Sequence, residues 1–260
     1  MNKNFFALLL PGALLLAGSA QAWGWDDCKY EKAIELSLDL AGSELLSVAA
    51  AAGDLEISGH DGLEEARVRG RICTSHEEWL DEAEVLTEGG PEASITVALP
   101  DTSGWTVFGS RYAYLHLELE VPAGLPLDIR DSSGDMVVRG TGPVDIRDSS
   151  GDIELEGVNG SAVLKDSSGD IELRHIVGDV TVRRDSSGDI YGKDIEGSVL
   201  IEHDSSGDIR FEQVSGDYVV ERDSSGDIVA NTVGGDFRVL NDGSGEVRYS
   251  EVTGAVEVPR

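Results

Sequence analysis

The chain has 260 residues, with 20 Lys and Arg against 50 Asp and Glu, a formal net charge of −30 and 32 glycines. That balance excludes a duplex nucleic-acid binder, which needs a basic face to neutralise phosphates and release their counterions. Because 40% of residues are hydrophobic and recur at regular spacing, it also excludes an acidic disordered chain, and a packed core is expected.

Residues 1–22 read as a secretory signal peptide. Lys3 supplies the positive end, Phe5 to Ala17 the apolar stretch, and Ala20-Gln21-Ala22 the small-x-small cleavage site. The alternative, an N-terminal membrane anchor, is opposed by the shortness of the run and by Pro11 and Gly12 within it. No later stretch approaches the roughly 20 apolar residues of a span, so no transmembrane segment is expected after signal cleavage. The predicted location is therefore outside the cytoplasm, in the periplasm or secreted to the cell surface. Cys28 and Cys73 are the only cysteines. In an oxidising compartment they are expected to form a disulfide, since two thiolates alone make a poor zinc site.

Residues 23–130 are irregular. Ala52-Gly53-Asp54-Leu55-Glu56-Ile57 matches the Ser-Gly-Asp-Ile-Glu-Leu of later segments, so residues 30–72 read as one or two degenerate coils. Ser75 to Leu86, with a cap-like serine, predicts a short helix. Ala93 to Leu99 and Tyr112 to Val121 alternate as strands, and Pro122-Ala123-Gly124-Leu125-Pro126 predicts a turn. Trp23, Trp25, Trp79 and Trp105 all fall in this part. Most are expected to fill its core, although exposed rings in an exported protein could stack on carbohydrate.

From residue 131 the chain repeats. Asp-Ser-Ser-Gly-Asp begins at Asp131, Asp148, Asp166, Asp185, Asp204 and Asp223, with an altered copy at Asp242, at intervals of 17, 18, 19, 19, 19 and 19. Counting from the leading aspartates of the later units, apolar residues fall at +5, +7, +10, +14 and +16, as in Ile171, Leu173, Ile176, Val180 and Val182. Two period-2 pairs per unit predict two short strands with alternate side chains inward. Glycines at +3 and +12 predict corners. One such unit cannot bury its own apolar side, whereas stacked units share one core. The expected fold is an all-β, single-domain β-solenoid of about seven regular coils over 131–260, with 23–130 as its irregular N-terminal part. A β-sandwich is the alternative, but hairpins would not require one residue at one offset seven times.

These residues resemble the bacterial putative-adhesin family of exported β-solenoid domains. The likeness rests on Gly53-Asp54-Leu55-Glu56-Ile57, on Val121-Pro122-Ala123-Gly124-Leu125-Pro126-Leu127 and on the serial Ser-Gly-Asp-Ile motifs, and it covers roughly residues 30–260. The resemblance implies the fold and an adhesive role, and it brings no catalytic residues with it.

Asp131, Asp148, Asp166, Asp185, Asp204, Asp223 and Asp242 read as turn aspartates, each accepting amide hydrogen bonds from its own turn. Stacked at one coil rise of about 4.8 Å, neighbouring charges repel by about 1 kcal/mol in water and about 3.5 at an effective dielectric of 20. The residues just before them, Arg130, Arg147, Lys165, Arg184, His203, Arg222 and Asn241, form a basic column expected to offset that repulsion. Asp135, Asp152, Asp170, Asp189, Asp208, Asp227 and Glu246 form a second, less compensated acidic column. It is either a screened edge or a candidate cation-facing column, for Ca²⁺, without the glycine-rich nonapeptide pattern of calcium rolls. His203-Asp204-Ser205 has the residue types of a hydrolase triad, but His203 occupies the place that Arg184 and Arg222 take in neighbouring units. The serine columns lie at a tight corner rather than across a flat face suited to ice or sugar.

The reading these features favour is a non-enzymatic, exported acidic module that binds or builds the cell envelope, with no catalytic residues, metal or cofactor assigned. Its partner would be a protein or carbohydrate of the envelope or surface. The alternatives are a calcium-dependent or self-assembling surface protein, associating end to end through an open last coil, and an enzyme acting on acidic polysaccharide. Against the enzyme, the regular coils leave no insertion to build a cleft. The acid excess could also reflect a saline habitat.

Overall fold

The computed structural model describes residues 28–103 and 110–259. The predicted signal peptide, Trp23, Trp25 and Trp105 lie outside the described residues. The irregular part comprises β1 (Tyr30–Asp39), β2 (Leu45–Ala49), β3 (Leu55–His60), β4 (Glu65–Thr74), α1 (Trp79–Glu82), β5 (Glu84–Glu88), β6 (Glu92–Ala98) and β7 (Ala113–Pro122). The next coils supply β8 (Leu127–Arg130), β9 (Met136–Arg139), β10 (Val144–Arg147), β11 (Ile153–Glu156), β12 (Ala162–Lys165), β13 (Ile171–Ile176) and β14 (Val180–Arg184). They are followed by β15 (Ile190–Ile195), β16 (Val199–Ile201), β17 (Ile209–Val214), β18 (Tyr218–Val220), β19 (Ile228–Val233), β20 (Phe237–Val239), β21 (Val247–Val252) and β22 (Val256–Glu257).

These strands form two eleven-stranded sheets. The first runs β1-β4-β7-β3-β9-β11-β13-β15-β17-β19-β21, the second β22-β20-β18-β16-β14-β12-β10-β8-β2-β6-β5. From β8 onward each strand pairs in parallel with its counterpart one coil away, so Ile171 lies beside Ile190 and Val180 beside Val199. This is a β-solenoid of stacked coils. The predicted inward positions are the core: Ile171, Leu173, Ile176, Val180 and Val182 are all at most 1% exposed.

Residues 30–72 meet the expectation of one or two degenerate coils only in part. Only β2 and β3 make one; β1 and β4 pair antiparallel with each other, as do β4 and β7. The coil of β6 and β7 stacks on the far side of β2 and β3 from β8 and β9. The turn at Pro122–Pro126 therefore carries the chain past a coil already in place. The helix is a single turn, and its N-cap is Glu78 with no side-chain cap. Ser75 instead accepts the Tyr112 amide through its hydroxyl at 3.1 Å. Trp79 is 7% exposed beneath this end of the structure. Cys28 and Cys73 form the disulfide, with Cα atoms 5.6 Å apart, tying the segment ahead of β1 to β4.

Two backbone details decide whether coils can stack. At Gly188 φ is +128°, and a Cβ would lie 1.9 Å from the Gly169 carbonyl oxygen, so close approach of successive corners needs glycine. At +9 the later coils turn with ordinary residues in the left-handed region: His175, Asp194, Gln213, Thr232 and Glu251 have φ between 53° and 59°. Gly140 and Gly157, with φ of 67°, hold that place in the first two coils. Each non-glycine residue there costs on the order of 1 kcal/mol, which the coils on either side repay by fixing the backbone.

Candidate functional site

The repeated polar residues gather on the edge where the second sheet turns into the first. An extended chain alternates its side chains between faces. An aspartate that follows an outward residue therefore points inward. Asp166, Asp185 and Asp204 are 0% exposed, Asp223 2%, and Asp131 and Asp148 6%; Asp242, in the last coil, is partly exposed. One carboxylate oxygen accepts the amide of the next serine, at 2.7 Å in Asp148, Asp185 and Asp204, while Asp223 accepts from Ser225 at 3.1 Å. The second oxygen of these four is buried with no hydrogen-bond partner, as are both oxygens of Asp131 and Asp166.

The basic column does not compensate them. Arg130, Lys165, Arg184 and Arg222 are exposed and face away from the buried aspartates that follow them. Arg130 pairs with Asp128, and Arg147 with Asp128 and Asp145, all on the outer face of the sheet. Burial without a counter-ion disfavours the charged carboxylate. Burial pushes Asp131 and Asp204 up to about 7, and Asp166 and Asp223 up to about 6, with charges of stacked neighbours adding to it. Asp148 and Asp185 are raised for the same leading reason. The interior column is thus a stack of carboxyl groups whose hold on protons burial strengthens, most at Asp131 and Asp204.

The second column behaves differently. Asp135, Asp152, Asp170, Asp189 and Asp208 are exposed, and Asp227 is half-buried. Each offers one carboxylate oxygen to the amide one coil later: Asp170 to Asp189, Asp189 to Asp208 and Asp208 to Asp227, all at 2.8 Å. The series begins outside the repeat, where Asp54 accepts the Asp135 amide at 3.1 Å, and ends where Asp227 accepts the Glu246 amide at 2.9 Å. The charge is thus held by a ladder of amide donors. Sequence reasoning missed a shorter ladder at the opposite corner. There Asp179 accepts the Ser198 amide, Asp217 the Asp236 amide and Asp236 the Ala255 amide, each at 2.8 Å. Its signal was present as Gly-Asp at +12 and +13 in three of the units.

Between the two columns the serines form their own ladder. The second serines Ser150, Ser168, Ser206 and Ser225 donate their hydroxyls to the first serine's carbonyl one coil back, as Ser206 does to Ser186 at 3.1 Å and Ser225 to Ser205 at 3.2 Å. Ser205 Oγ lies 3.5 Å from His203 Nε2, but the Asp204 carboxylate is buried on the Ser205 amide and does not orient the imidazole. These three residues are not assembled as a triad. No group of three His, Cys, Asp or Glu among the described residues is placed to hold a metal ion. The outer groove between β1 and β4 is lined by Glu35, Glu65, Arg67 and Arg69, and Arg67 and Arg69 pair with neighbouring glutamates. No helix of the described residues is long and apolar enough to cross a membrane.

No family model matches the chain, and no curated protein matches it. Solved structures do resemble it. A putative adhesin from Bacteroides fragilis is 10% identical, with a TM-score of 0.44 over 88% of this chain and 97% of its own. A putative cell adhesion protein from Clostridium sporogenes is 15% identical, with a TM-score of 0.31 over 88% of this chain and 99% of its own. A structure named a putative lipid binding protein, from Parabacteroides distasonis, is 15% identical, with a TM-score of 0.38 over 88% and 97%.

Proposed function

We propose that this chain is a non-enzymatic, exported structural and binding module, a rigid acidic solenoid that presents a repeated charged edge to a partner in the envelope or at the cell surface. The observation that supports it is the use made of the polar repeat. The second serines and the exposed acidic ladder use their hydrogen bonds to hold coil to coil, and the leading aspartates theirs to fix their own turns, which stiffens the rod and leaves a flush surface. Catalysis would need such groups to converge on a substrate in a cavity; here they run in parallel lines along an edge. The disulfide fits a compartment in which thiols are oxidised.

The test is to titrate the purified mature protein over immobilised envelope proteins and over neutral and acidic glycans by surface plasmon resonance, while assaying the same glycans for new reducing ends. Saturable binding without turnover is the expected result. Release of reducing ends, or loss of both binding and any envelope association in cells, would overturn the reading.

A further inference from the structure

In a chain of net charge −30, unpaired cations need an explanation. Lys165, Arg184 and Arg222 are exposed and, among the described residues, form no ion pair with any acidic side chain. They occupy one column. The backbone carbonyls of Lys165, Arg184, His203 and Arg222 accept amides of Asp148, Asp166, Asp185 and Asp204 at 2.9 Å, so these residues stack coil on coil. Across the same Asp-Ser-Ser-Gly-Asp corner, five residues further along each coil, lie Asp170, Asp189 and Asp208. Their second carboxylate oxygens carry no hydrogen bond or ion pair among the described residues.

One edge of the rod thus carries a basic line on one border, an acidic line on the other and serines between. We infer that this edge is a self-complementary interface, through which two copies of the chain dock side by side with their solenoids parallel. The geometry follows from symmetry. A two-fold axis parallel to the rods, running along the serine line, exchanges the borders, so at the same coil level Lys165 faces Asp170, Arg184 faces Asp189, His203 faces Asp208 and Arg222 faces Asp227, which Arg248 of its own chain also pairs. A two-fold axis perpendicular to the rods would set like charges opposite each other. The interface is isologous and closes at the dimer. Both lines share one backbone repeat, so they stay in step along the whole edge, which an unrelated polyanion would match only by coincidence.

Six coils at about 4.8 Å give an edge about 29 Å long, and two sheets packed about 10 Å apart make it narrow. That is below the standard interface size, so the dimer is weak, in the micromolar range or above. At physiological ionic strength the Debye length is about 8 Å, so facing columns attract while the remaining negative charge is largely screened. The interface does not depend on the function proposed above.

Sedimentation equilibrium of the mature protein tests it. Dimer is expected at 0.15 M NaCl and loss of dimer by 1 M, where the Debye length falls to about 3 Å. Reversing one line with K165E/R184E/R222E should give monomer at either salt. Neutralising the other with D170N/D189N/D208N, which keeps an acceptor for the ladder, should weaken the dimer at least tenfold without changing the circular dichroism spectrum. Orientation is read by cysteines on the serine line. Ser149→Cys and Ser224→Cys should each cross-link to their own kind, and a mixture of the two should give no cross-link between them. A monomer at all salt concentrations, a dimer that survives K165E/R184E/R222E, or a Ser149→Cys to Ser224→Cys cross-link would overturn the proposal. The second of these would instead point to the C-terminal end of the rod, where Leu240, Tyr249 and Val256 are exposed.

Discussion

Asp185 and Asp189 belong to one five-residue motif and have opposite surroundings. Asp185 is fully buried, caps its own turn through one oxygen and leaves the other without a partner. Asp189 is exposed and accepts the amide of the next coil. The same contrast runs the length of the array, an interior column whose carboxyls burial drives towards protonation beside an outer column whose carboxylates accept the amides of the next coil. Stacking by itself does not make a column of like residues costly. What decides the cost is whether each copy keeps access to solvent or to a donor.

The strongest way to break the comparison is at the corner that separates the two columns. Gly188→Ala places a methyl group against the Gly169 carbonyl and demands a left-handed backbone of a residue with a Cβ. Strain and overlap together should cost about 3 kcal/mol or more, read as a lower midpoint in urea unfolding. The next effect belongs to the buried column. Burial pushes Asp204 up to about 7 in the fold, from the ordinary carboxyl value of 3.8 that it regains when the chain unfolds. Below that lower value both states are protonated and the fold keeps its full stability. As pH rises towards 7 the unfolded chain ionises first, and stability is lost until the folded carboxyl ionises as well. Unfolding free energy should therefore fall between pH 4 and 7, and Asp204→Asn should flatten that slope by about 2 kcal/mol across the window. An unchanged slope would mean that Asp204 is charged in the folded protein.

The outer column should respond more weakly. Asp189→Ala removes the acceptor for the Asp208 amide, with an expected loss of about 1 kcal/mol. Asp189→Asn keeps an acceptor and removes a like charge, so it should be neutral or slightly stabilising. The smallest effect concerns cations. Ca²⁺ and NaCl at matched ionic strength should raise the thermal midpoint equally, because one oxygen of each outer carboxylate is already held by an amide. A rise specific to Ca²⁺ would identify Asp135, Asp152, Asp170, Asp189, Asp208 and Asp227 as a cation site.

Much of the array was legible because a solenoid repeats one local problem. Ile171, Leu173, Ile176, Val180 and Val182 announced two inward-facing pairs, and their recurrence announced stacking. The corner at +9 was harder to see. Glycine marks it only at Gly140 and Gly157, and His175, Asp194, Gln213, Thr232 and Glu251 adopt a left-handed backbone that their own propensities disfavour. The irregular part misled for a related reason. β1 and β4 alternate like coil strands, and alternation carries no information on whether a partner runs parallel or antiparallel.

Sequence alone thus determined the coil, its period, its inward residues, the expected cysteine pair and the polar lines along one edge, since each is a property of spacing along the chain. Tertiary structure decided which of those lines is buried. Arg184 and Asp185 are adjacent in sequence and were expected to compensate each other, yet the extended backbone sends them to opposite faces. Burial therefore drives the interior aspartates towards protonation, and Lys165, Arg184 and Arg222 are left facing outward with no ion pair among the described residues.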